Sequence, residues 1–222
     1  MNPKQIAGEK STEWIEDGML IGLGTGSTAY FMVKKVGELV RNGLKIEATA
    51  TSYATEQLAK EEGIPLRELK DINVLDVTID GADEFTEGLD LIKGGGGALY
   101  REKVIASISR ELIIITDPRK YVQKLGAFTI PVEIVPFGHE LCKKRIESLG
   151  AKVKIREAAG QVYKTDNNNL IFDCDFGLIE EPGKLDQQLK SLIGVVETGL
   201  FIGMAKRVIM AHPDGKIQLW EK

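Results

Sequence analysis

Four short stretches hold residue types that could do chemistry: Gly24-Thr25-Gly26-Ser27-Thr28, Asp80-Gly81-Ala82-Asp83-Glu84, Lys93-Gly94-Gly95-Gly96-Gly97 and Arg101-Glu102-Lys103. The first has the small residues that let backbone N–H groups and hydroxyls surround a phosphate at the positive end of a helix. It is not a Walker loop, because no lysine precedes Ser27-Thr28, and its glycine spacing departs from the dinucleotide pattern by one position. A tight strand-to-helix turn without a ligand is the alternative. In the second, Asp80 and Asp83 could hold sugar hydroxyls or move protons, or could simply cap a turn rich in Asp and Gly. Metal binding is the rival, but only oxygen ligands are nearby, and neither His139 nor His212 belongs to a ligand-spaced pair. In the third, Lys93 precedes a glycine run whose entropy cost is tolerated where backbone must approach a ligand or adopt positive φ. A lysine beside such N–H groups can offset charge developing on an enediolate oxygen. A flexible surface loop is the other reading. Glu102, flanked by two bases, reads alone as part of a solvated helix face unless the fold turns it into the same site.

These stretches are placed by an alternation of strands and helices. Asn2 can cap, and Pro3 open, a helix over 3–17 with Ile6, Ala7 and Trp14 on one side. A buried strand then runs into the first glycine turn, followed by a helix over 28–41, a strand near 45–51, a helix over 53–62 opened by Ser52, and a strand at 74–79 that would deliver Asp80 to its end. A helix over 98–109 and a strand over 111–116 continue the pattern. This is the rhythm of an α/β fold with an open, mostly parallel sheet flanked by helices, which gathers ligands at its strand ends. Beyond about Gly126 the style changes. A strand at 128–135, a helix at 138–149, a hairpin over 161–176 turning at 166–169, a helix at 184–192 and a segment near 195–201 make a smaller α+β domain. Leu170, Phe172, Cys174 and Phe176 share one face of that hairpin, with Asp173 and Asp175 facing solvent. Residues 207–211 would return to the first sheet. The expected division is 1–126 plus 205–222 for the larger domain and 127–204 for the smaller.

The 222 residues suffice for a substantial core, and 43% apolar with 28% charged residues is ordinary globular composition. No apolar run is long enough to span a bilayer, and the polar first eighteen residues lack the features of a secretory signal. A net charge of −4 without a Lys/Arg block argues against a nucleic-acid surface. Lys143-Lys144-Arg145 reads as an exposed helix face. Two isolated cysteines, Cys142 and Cys174, point to buried free thiols and a cytoplasmic protein.

Taken in order, GLGTGST, DGADE, KGGGGAL and REK resemble ribose-5-phosphate isomerase A. The likeness continues through Thr116-Asp117-Pro118-Arg119-Lys120, Leu125-Gly126, Ile130-Pro131-Val132-Glu133 and Val196-Glu197-Thr198-Gly199-Leu200-Phe201, and covers essentially the whole chain. The resemblance implies a ferredoxin-like small domain inserted before the final strand, a homo-oligomer (dimer or tetramer), a small phosphorylated sugar as substrate, and no metal or other cofactor. It implies Glu102 as general base, with Lys93 and Asp80 as polar helpers. Substrate contacts fall on Thr25, Gly26, Ser27, Thr28, Asp80, Gly81, Ala82, Asp83, Lys93, Gly94, Gly95 and Gly96, with Lys120 and Lys4 near the phosphate. Gly97 stands where many relatives carry alanine, a departure expected to leave the chemistry untouched.

Two other classes share such a fold, and fold alone does not separate them. A sugar-phosphate-sensing repressor module would be expected to follow a helix-turn-helix, whereas the α/β pattern here starts within about twenty residues of Met1. The other class is a coenzyme A transferase or an amino-sugar-phosphate deaminase, and a transferase would use its carboxylate as a nucleophile, giving a thioester that could be trapped.

Overall fold

The computed structural model describes residues 2–222. Along the chain, α1 (Pro3–Ser11) leads to β1 (Leu20–Leu23), α2 (Ala29–Arg41), β2 (Glu47–Ala50), α3 (Tyr53–Glu61) and β3 (Val77–Gly81). Next come β4 (Glu84–Phe85), β5 (Leu91–Ile92), α4 (Leu99–Ser107), β6 (Leu112–Thr116), β7 (Ile130–Ile134), α5 (His139–Ser148) and β8 (Lys152–Ile155). The remainder is β9 (Glu157–Ala158), β10 (Gln161–Val162), β11 (Leu170–Asp175), α6 (Pro182–Lys190), β12 (Val195–Thr198), β13 (Leu200–Phe201), β14 (Arg207–Ala211) and β15 (Ile217–Glu221).

The first compact unit comprises the chain through Ala82 together with Arg101–Tyr121 and Met204–Lys222. Its six-stranded sheet has the order β15-β14-β6-β3-β1-β2. All neighbours pair in parallel except β14 with β15, which are antiparallel. Ile21, Leu23, Ile79, Ile113, Ile115 and Ile209 form the core of this unit with Met32, Val33 and Val36 of α2. Those α2 residues recur at helical spacing on one face, and each such buried side chain contributes about 1.5–3 kcal/mol.

Two expectations for this unit are corrected, and one strand is added. The first helix ends at Ser11 and continues only as a 3₁₀ turn, because the hydroxyls of Ser11 and Thr12 donate back to the carbonyls of Gly8 and Glu9. The third strand begins at Val77, so Asp80 lies inside it rather than after it. The final strand β15 was not foreseen, because it is a largely exposed edge with no buried run to mark it.

The second unit comprises Asp83–Tyr100 and Val122–Gly203. Its four-stranded antiparallel sheet has the order β12-β7-β11-β8. With α5 between β7 and β8, and α6 between β11 and β12, this is a ferredoxin-like arrangement. Ile130, Val132, Ile134, Phe172, Cys174 and Leu189 are buried together in its core. The expected hairpin around 166–169 does not form: β11 pairs instead with β7 and β8, while β10 pairs with β9 across Ala159-Gly160. Both turn residues have positive φ, as a tight hairpin requires. Asp175 is exposed, but Asp173 is half-buried against Arg156 rather than facing solvent.

The division also differs from the one expected. Residues 83–100 belong with the second unit because β4 and β5 join β13 in a three-stranded antiparallel sheet. Two strands follow the inserted unit, β14 and β15, where one was expected. Cys142 and Cys174 are free and buried, and burial pushes both thiols up, Cys174 the further. Among the described residues no helix is long and apolar enough to cross a membrane.

Gly22 in β1 tests how tightly the first unit is packed. A Cβ there would lie 2.0 Å from Thr78 Oγ1 and 2.8 Å from Ile105 Cγ2, and both neighbours are buried. Gly22→Ala is therefore expected to cost about 1–3 kcal/mol, read as a lower urea midpoint with an unchanged slope. An unchanged midpoint would mean that β1 shifts freely against β3 and α4.

Candidate active site

Parallel pairing puts the carboxyl ends of β1, β3 and β6 at one edge of the sheet, and they lead respectively into residues 24–28, Ala82 and residues 117–120. Asp80, only 1% exposed, anchors this edge. Its Oδ1 accepts the N–H of Thr25 (2.9 Å) and the N–H of Gly81 (2.8 Å). Gly24 is required beside it, because a Cβ at that position would lie 2.2 Å from the same oxygen.

The glycine loop divides its hydroxyls between two jobs. Thr25 Oγ1 is within hydrogen-bond distance of the hydroxyls of Thr51 (2.7 Å), Ser52 (2.8 Å) and Thr55 (3.2 Å). Thr55 in turn donates to the Gly24 carbonyl (3.0 Å) and Thr51 to the Leu23 carbonyl (3.1 Å). Ser27 is exposed, and its Oγ accepts from Lys4 Nζ at 2.7 Å. Thr28 precedes α2 without a side-chain cap bond. An ammonium, two hydroxyl-bearing residues and a helix N-terminus thus meet at one loop, where Gly26 takes φ of 112°. Such a place favours an anion.

Glu102 lies on the first turn of α4 and is 3% exposed. Ile105, one turn on, packs with Ile72 and Leu75. The reading of Glu102 as part of a solvated face is therefore set aside, and its neighbour Lys103 is buried as well. Arg101 stacks over the Tyr53 ring at 4.1 Å. After β6, Asp117 accepts from Arg119 N–H (3.0 Å), Nε (2.9 Å) and Nη2 (2.9 Å), which fixes the turn that carries half-buried Lys120.

In the second unit, Lys93 is 2% exposed; its N–H donates to the Gly199 carbonyl (2.8 Å) and its Nζ lies 5.3 Å from the centre of the Phe201 ring. Asp83 donates its N–H to the Ile92 carbonyl (2.8 Å), and its Oδ2 accepts from Gly95 N–H (2.7 Å). Gly94 and Gly97 have positive φ, and a Gly97 N–H to Gly94 carbonyl bond (2.9 Å) closes the turn between them. The glycine run is thus a held turn.

The family described as ribose 5-phosphate isomerase A (phosphoriboisomerase A) matches residues 47–215. The chain belongs to this family. It is 50% identical over 216 residues to the ribose-5-phosphate isomerase A of Bacillus mycoides, covering 97% of this chain and 98% of that protein. The protein of that name from Streptococcus gordonii is 45% identical over 215 residues, 96% of each chain. The structure of ribose 5-phosphate isomerase from Plasmodium falciparum matches with a TM-score of 0.96 at 37% identity, over 99% of this chain and 97% of that one. A D-ribose-5-phosphate isomerase solved in complex with phospho-erythronic acid matches at 0.95 and 35% over the whole of both chains.

Within this family member, the structure brings Thr25 to Asp80, Lys4 to Ser27, and Asp83 to Gly95. Asp80, Glu102, Lys4 and Lys120 belong to the first unit and Asp83, Lys93 and the glycine run to the second. Sequence reasoning missed the supports: Thr51 and Thr55 behind the loop, and Arg156, which grips the glycine run through its carbonyls. Ser52 was singled out only as a helix cap, which it is, accepting from Thr55 N–H at 3.1 Å.

The Asp117–Arg119 pair makes a pH test. The Arg119 guanidinium beside Asp117 holds its carboxyl below the usual aspartate range, against an opposing effect of burial. A depressed folded-state pKa stabilises fully above the unfolded value near 3.9, and that contribution is lost as pH falls through the depressed value. Asp117→Asn should melt below the parent at neutral pH, and the gap should close as pH drops below about 4. Melting curves that stay parallel through the acid range would remove Asp117 from the acid sensitivity.

Proposed function

We propose that the chain interconverts D-ribose 5-phosphate and D-ribulose 5-phosphate through an enediolate, with Glu102 as the base. The activity is that of its family, and one observation carries the assignment of the base: a motif carboxylate that is 3% exposed on the first turn of a helix. A neighbour matched over its whole length was solved with phospho-erythronic acid. The planar carboxylate of that ligand reproduces the two oxygens of an enediolate, and its phosphate reproduces that of the sugar.

In the aldose-to-ketose direction, Glu102 takes the C2 proton of the open-chain sugar, and the electrons form the C1–C2 double bond as charge moves to O1. The hydroxyl proton on O2 passes to O1, and Glu102 returns its proton to C1, leaving the C2 ketone. Lys93 and the glycine-run amides hold the charged oxygen. Asp80 joins a backbone-anchoring Oδ1 to the role of proton carrier in ring opening. Asp83, Gly81 and Ala82 contact the sugar. Ser27, Thr28, Lys4 and Lys120 hold the phosphate, whose binding aligns C1 and C2 with the base. The same reading gives a cytoplasmic homo-oligomer, dimer or tetramer, that acts in the non-oxidative pentose phosphate pathway.

A coupled assay of ribulose 5-phosphate formation tests the activity directly. Glu102→Gln keeps the size of the side chain and removes its basicity, so kcat should fall at least roughly a hundredfold with KM little changed. A folded variant that isomerises like the parent would assign the base elsewhere, with Asp83 the first acid to examine. Ser27→Asp sets a carboxylate in the anion loop, and a large rise in KM is expected. An unchanged KM would take that loop out of phosphate binding.

A further inference from the structure

The glycine run has no side chains with which to fix its own peptide planes, and Arg156 supplies what it lacks. Arg156 Nη1 donates to the carbonyls of Gly94 (2.8 Å) and Gly95 (3.1 Å). Its Nε donates to Asp173 Oδ2 at 3.0 Å and its Nη2 to Asp173 Oδ1, so a bidentate carboxylate sets the guanidinium plane. No peptide bond among the described residues is cis, and in a trans peptide the C=O and N–H point in opposite directions. The 94–95 peptide is therefore gripped at both ends, its oxygen by Arg156 and its N–H by Asp83. The 95–96 peptide is gripped at its oxygen, which turns the Gly96 N–H away from the guanidinium. Tyr163 closes the same clamp. Its N–H donates to the Arg156 carbonyl (2.9 Å), and its hydroxyl fills the space beside Gly97.

We propose that Arg156, held by Asp173, is a positioning residue for the isomerisation: it aims the Gly96 N–H at the enediolate oxygen and keeps Asp83 in place through Gly95. This rests on the isomerase reading above. Lysine would not replace it, because a point charge does not span two carbonyls and a carboxylate with a planar fork.

The test compares the parent with Arg156→Lys, Arg156→Ala and Asp173→Asn, using ribose 5-phosphate turnover together with binding of phospho-erythronic acid and of inorganic phosphate. Both Arg156 variants should lose roughly ten- to a hundredfold in kcat with KM within about twofold, since a misaimed oxyanion donor costs less than a removed one, which costs about a hundredfold or more. Affinity for phospho-erythronic acid should fall in step, affinity for inorganic phosphate should hold, and added guanidinium should restore part of the Arg156→Ala activity. Asp173→Asn should move the same way by a smaller factor, and it decides the matter if Arg156→Ala does not fold. Folded variants with the parent's kcat, or with equal losses for both ligands, would overturn the proposal. An active parent beside an equally active Arg156→Ala sinks this inference alone, whereas a parent inactive on ribose 5-phosphate sinks the isomerase reading and this one with it.

Discussion

The carboxylate of Asp80 is the constraint on which the sheet edge of the first unit depends. At 1% exposure it is a polar group withdrawn from water, which is costly unless hydrogen-bond donors replace the lost hydration. Two such donors are the N–H groups of Thr25 and Gly81, the first brought there by the parallel pairing of β1 with β3. That pairing dictates a residue without Cβ at Gly24, and it sends the Thr25 side chain to Thr51, Ser52 and Thr55. With the loop held from behind, Ser27 is presented to Lys4, and α2 starts at a fixed point. One buried acid thus sets the path of the loop, the start of a helix and the place where an anion would be received.

The second unit solves a related problem with the same device. Asp83 accepts a backbone N–H from Gly95 much as Asp80 does from Thr25, and in both places the glycine next to the carboxylate permits the approach. Lys93 is fixed through its main chain to Gly199, where a Cβ would lie 2.3 Å from the Lys93 carbonyl oxygen. The candidate side chains Asp80, Asp83 and Lys93 are therefore carried by backbone geometry rather than by side-chain packing alone. That arrangement suits a reaction in which donors must be in place before charge develops.

What could be read from the sequence was whatever leaves a periodic or compositional trace. The alternation of apolar strands and amphipathic helices gave the parallel sheet, and glycines beside acids marked the loops. The exposed β15 has no such trace. Neither does the choice of β11 to pair with β7 and β8, since the period-two pattern of Leu170, Phe172 and Cys174 fixes a face and not a partner. The burial of Glu102 between two basic neighbours could not be inferred locally, because it depends on α4 packing through Ile105 against Leu75. Arg156 is some sixty residues from the carbonyls it holds, and a lone arginine before a short hairpin looks like any surface charge.

Gly97 shows how a position neutral in sequence becomes constrained in structure. Alanine for glycine adds one methyl group and, judged by chemistry alone, should matter little. Here the backbone at Gly97 has φ of 87°, a region that side chains rarely adopt, and a Cβ would lie 2.2 Å from the Tyr163 hydroxyl. To admit it, Tyr163 would have to move. Tyr163 is tied through its N–H to the Arg156 carbonyl, and Arg156 holds the carbonyls of Gly94 and Gly95. A methyl group at one end of the glycine run would thus press on the ring of a residue whose backbone is bonded to Arg156, which holds the other end. An alanine at 97 therefore meets two separate costs, the positive φ of its own backbone and the space that Tyr163 now fills.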